Sequence, residues 1–60
     1  MISTRKNESF PEWTQIFAFG KFVDEVQGTA KALRVAQQVA KEHKAKSVNH
    51  LGRVVMLNSK

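Results

Sequence analysis

The stretch FPEWTQIFAFGKFVDEVQ, Phe10 to Gln27, decides the fold, because it holds all five aromatic residues of a 60-residue chain. Two readings of it compete. In the first, Phe19-Gly20-Lys21-Phe22 is the tip of a β-hairpin, with Gly20 at the first central position of a type II′ turn, where φ must be positive. Phe19 then faces Phe22, and Phe17 faces Asp24. Trp13, Phe17, Phe19, Phe22 and Val26 share one sheet face, and Ile16, Ala18 and Val23 take the other. In the second, Ser9-Phe10-Pro11-Glu12 is a capping box with proline in the first turn, opening a helix over 9–27. Gly20 in mid-helix would cost about 1 kcal/mol against alanine. Four phenylalanines also suit a strand better than a helix. The hairpin is therefore the reading adopted, with a mostly helical domain as the alternative.

Downstream, TAKALRVAQQVAKEHKAK (29–46) is an amphipathic helix. At 100° per residue, Ala32, Leu33, Val35, Ala36, Val39, Ala40 and His43 fall within an arc of about 160°. Thr29 is the expected N-cap, and Lys44 and Lys46 suit the negative end of the helix dipole. The buried stripe is mainly alanine, so the helix can approach its support closely and the support must supply the bulk. The aromatics are accordingly read as the core. Residues 47–57 return to strand, with a short strand at Ser47–Asn49, a turn at His50-Leu51-Gly52 and a β-branched run at 53–57.

This order predicts an α+β domain over 10–57: a hairpin, one helix packed on a small sheet, and a C-terminal strand or hairpin. Residues 1–9, polar and unpatterned, are expected to form a flexible N-terminus, and 58–60 a tail. Ile16, Ala18 and Val23 would otherwise face water, which points to a homodimer. The chain has no cysteine and a polar N-terminus unlike a signal peptide. A cytoplasmic protein with no membrane association is the expectation.

Charge is unevenly placed. Residues 29–60 hold seven lysines and arginines against Glu42, a net +6, whereas 1–28 hold three against four carboxylates, a net −1. Lys31, Arg34, Lys41 and Lys44 project from one side of the helix with Gln37 and Gln38 among them, and Lys46 and Arg53 can extend the patch. These types suit phosphate and base-edge contacts, so nucleic acid is one expected partner. An aromatic sheet face could instead stack unpaired bases.

Catalytic chemistry finds no support. His43 and His50 lack a third metal ligand, and Glu42 points away from His43. Ser47 and His50 lie close together, but no third group holds the pair. Asp24 and Glu25 point to opposite faces of a strand, and Gly20, Gly28 and Gly52 are isolated. No cofactor and no enzymatic activity are expected. A binding module remains, directed at nucleic acid or, alternatively, at a protein in the manner of a phage- or prophage-type regulator.

Trp13 opening a strand, the turn at Gly20 and Gly28-Thr29 at the helix start form a recognisable layout. So do the repeat of Ala32, Ala36 and Ala40 and the late strand from Gly52-Arg53-Val54-Val55. Over about residues 13–55 the chain resembles short bacterial and phage proteins of unknown function with a hairpin–helix–strand layout. The resemblance implies the architecture and assigns no functional residue.

Overall fold

A computed structural model describes residues 1–57. Five strands and one helix follow in the order β1 (Ile2–Lys6), β2 (Trp13–Ala18), β3 (Lys21–Gln27), α1 (Thr29–Glu42), β4 (Ser47–His50) and β5 (Arg53–Met56). They form one mixed sheet, ordered β3-β2-β1-β4-β5, with the helix across one face. The fold is α+β, and the alternative of a first helix over 9–27 is excluded. No helix among the described residues is long and apolar enough to cross a membrane.

The largest departure from the sequence reading is at the start of the chain. Residues 2–6 are the central strand of the sheet, not part of a flexible terminus. β1 pairs antiparallel with β2 and parallel with β4. Ile2 is fully buried and Thr4 nearly so. The strand signal is weak because only those two side chains point inward, and one of them is polar. The loop that follows is held by Asn7, whose Oδ1 accepts hydrogen bonds from the backbone N–H groups of Ser9 and Phe10. The segment read as a capping box is thus a turn entering β2.

The hairpin at β2–β3 is present, but its turn sits one residue earlier than expected. Ala18 pairs with Lys21, leaving Phe19 and Gly20 as the two-residue loop, at φ 54° and 83°. Positive φ at both positions defines a type I′ turn, whose twist matches that of the flanking strands. Phe17 consequently faces Phe22 and not Asp24. A register shift between Ile16 and Phe17 places Val26 on the same face as Ile16. Leu51 and Gly52, at φ 53° and 87°, join β4 to β5 in the same way.

Helix α1 is shorter than the expected 29–46. Gly28 is its N-cap, at φ 93° and ψ 140°, with no side-chain capping bond. That conformation is accessible essentially to glycine alone, so the cap position falls there and not on Thr29. At the other end Lys44 turns left-handed (φ 58°). The Lys44 N–H donates to the Lys41 carbonyl and the Ala45 N–H to that of Ala40. This pair of bonds is the Schellman closure, with lysine where glycine is usual.

The apolar core is aliphatic, with Thr4 and Thr14 buried beside it. Ile2, Ile16, Ala18 and Val48 from the sheet meet Ala32, Ala36, Val39 and Ala40 from the helix, flanked by Val26, Leu33, Val35, Ala45 and Leu57. The sequence reading had put the aromatics here. Instead Trp13 and Phe22 are 39% and 59% exposed, and with half-buried Phe17 they lie on the sheet face away from the helix. The reason is the neighbouring strands. On the helix side β1 and β4 present Ile2 and Val48 beside Ile16; on the far side they present Ser3, Arg5, Ser47 and Asn49. One apolar layer can continue across the sheet only on the first side. Ile16 and Ala18, expected to need a dimer partner, are covered by the helix.

Candidate nucleic-acid interface

The helix lies over β1 to β4 and leaves β5 uncovered. Its alanine stripe fixes its rotation, since only small side chains allow the close approach. That rotation turns Lys31, Arg34, Gln38 and Lys41 outward within an arc of about 80°. All four are exposed. Arg34, Gln37, Gln38 and Lys41 form one wall of a shallow groove of about 390 Å³, with Leu57 opposite.

The six cations singled out in the sequence are not all brought together. Lys31, Arg34 and Lys41 share the helix ridge. Lys44 and Lys46 follow the helix end, in the turn leading to β4. Arg53 starts β5 and pairs with His50, which places it on the helix side of the sheet but on a separate element. All six side chains are exposed. Asp24 and Glu25 stand on β3, the opposite edge of the sheet. The helix flank is therefore net cationic, with Glu42 as its exposed carboxylate, and β3 carries Asp24 and Glu25 together with Lys21.

The histidines take structural places. His43 is exposed at the helix C-cap, its ring edge-on to Phe19 with centroids 5.4 Å apart. It does not cover the core. His50 is partly buried at the end of β4, and its Nδ1 lies 2.7 Å from Thr4 Oγ1. That hydroxyl also accepts a hydrogen bond from the Leu51 N–H, which leaves its own proton free to be donated to a neutral imidazole. Burial pushes the His50 pKa below its ordinary value. Among the described residues no group of three potential metal ligands occurs.

The open sheet face carries the aromatics that the sequence offers either as core or as a base-stacking surface, and it is not the core. Arg5 stacks over the Phe17 ring, its Cζ 4.8 Å from the centroid, and its Nε donates to Gln15 Oε1 at 3.4 Å. Phe17 and Phe22 meet edge to face at 5.9 Å. The signal was the period-two alternation of Trp13, Gln15 and Phe17, but it names a face without saying which way the face points. The chain is thus a small two-layer α+β protein with a cationic helix flank and an uncovered aromatic sheet face. No protein-family model, curated protein or solved structure matches it.

Proposed function

We propose that the protein is a non-enzymatic binding module that holds nucleic acid against its cationic helix flank. The observation that carries this reading is the ridge of Lys31, Arg34 and Lys41. It is exposed, glutamine-interleaved and bordered by a groove, and the β3 carboxylates stand on the far edge of the sheet. Lys44, Lys46 and Arg53 add charge around it. Phosphates neutralised by such side chains release condensed counterions, so the association is governed by salt. The absence of cysteine suits a reducing compartment, and the cytoplasm is where we place this activity.

Fluorescence anisotropy with labelled single- and double-stranded oligonucleotides tests the reading. Affinity is expected to fall linearly with salt on a log–log plot. Replacing both Arg34 and Lys41 with glutamine should lower that slope by roughly 2, about one unit per phosphate contact. A flat titration at low salt removes the proposal.

A further inference from the structure

We propose that the open sheet face is the interface of a symmetric homodimer, in which a twofold axis along β2 packs each Phe22 into a hollow of the other copy. The register sets two rows across the first three strands of the sheet. One runs Ser3–Phe17–Phe22, the other Arg5–Gln15–Glu25. Each row is lopsided. The first is small at β1 and bulky at β3; the second is positive at β1 and negative at β3. A twofold axis parallel to β2 reverses both rows at once. Phe22 then lies over Ser3 of the partner subunit, and Arg5 over the partner's Glu25.

The receiving shape is on the surface already. Ser3, Arg5, Phe17 and Gly20 border a hollow of about 280 Å³, beside a Phe22 that is 59% exposed. Such a self-complementary patch is what a twofold contact requires. Among the described residues Arg5 and Glu25 are the only charged strand residues on this face, and they are opposite in sign. A nucleic-acid strand would therefore meet no net attraction here, and a second copy would meet a matched charge. In a domain of this size without disulfides, association with a second copy is one recognised source of added stability. This monomer buries none of its aromatic rings completely and leaves three of them on the face in question. The proposal does not depend on the nucleic-acid reading, because the cationic ridge lies on the opposite side of the molecule.

Sedimentation equilibrium of the full chain at tens of micromolar is expected to give a species of about twice 6.8 kDa. Phe22→Ala should weaken association roughly tenfold or more, as removal of a central anchor does. Arg5→Glu and Glu25→Arg should each weaken it by setting like charges across the axis, and the double exchange should restore it. Circular dichroism checks that each variant keeps its fold: Arg5 and Phe22 are exposed, whereas Glu25 is half-buried and accepts a hydrogen bond from Asn7 Nδ2 at 2.8 Å. A 6.8 kDa species alone, or single exchanges that the double exchange fails to rescue, overturns the proposal. So does a monomer that loses oligonucleotide or foreign-protein binding on Phe22→Ala, since the face would then belong to that other partner.

Discussion

The two faces of the sheet divide the side chains in an unexpected way. The face under the helix holds Ile2, Ile16, Ala18 and Val48, all of modest size. The face away from it holds Trp13, Phe17 and Phe22, the bulkiest residues of the sheet. Burial here follows continuity, not size. A helix lined with alanine seals against a smooth aliphatic layer, and only one side of the sheet offers such a layer across four neighbouring strands. The aromatic side is interrupted at β1 and β4 by Ser3, Arg5, Ser47 and Asn49.

That contrast can be broken most directly at Ile16. Its side chain is fully buried, and Ile16→Ala should cost about 2–5 kcal/mol in denaturant unfolding. On the opposite face Val54, 62% exposed, should accept threonine within about 0.5 kcal/mol. Equal effects at the two sites would mean that the faces are not as unlike as described.

A smaller and opposite effect is expected at Thr14. Its hydroxyl is buried on the helix side and has no hydrogen-bond partner among the described residues. Desolvating it without compensation is unfavourable, so the isosteric Thr14→Val should raise stability by about 1 kcal/mol. A loss of stability in the same assay would show that the hydroxyl is partnered.

The smallest effect concerns pH. The fold holds His50 neutral and lowers its pKa, so below the ordinary histidine range the unfolded chain binds the extra proton first. Stability contributed by His50 is complete above about pH 6.5 and falls as pH drops from there toward the lower folded pKa. Comparing unfolding of the wild type and His50→Gln from about pH 8 to about pH 5 isolates this term. The two should diverge in pH dependence only on the acid side, and parallel curves throughout would contradict the assignment.

Much of this arrangement is legible in the sequence. The helix, its alanine stripe and its outward cations follow from the 3.6-residue period between 29 and 42. The hairpin follows from the aromatic and β-branched content around Gly20. What the pattern does not carry is the choice between faces. That choice rests on Ile2 and Val48, which lie 46 positions apart and act together only once paired. With residues 1–9 read as a loose end, the Ile16 side lacked its neighbours, and the aromatics were the natural filling. The helix end was likewise hidden, because Lys44 adopts a left-handed conformation without the glycine that normally announces it. The cationic ridge was visible as a list of residues, but its groove depends on β5 standing clear of the helix.

The parallel pairing of β1 with β4 has a consequence for assembly. β1, β2 and β3 form a meander closed by short connections, and β4 and β5 form a separate hairpin. Among the described residues the only strand-to-strand seam between these two units is β1 against β4. Until that seam closes, the strand destined for the middle of the sheet is an edge, with its outward N–H and C=O groups free to pair with any other extended chain. The helix tethers the two units and packs on both, so the same segment that roofs the core also shortens the search that closes the sheet.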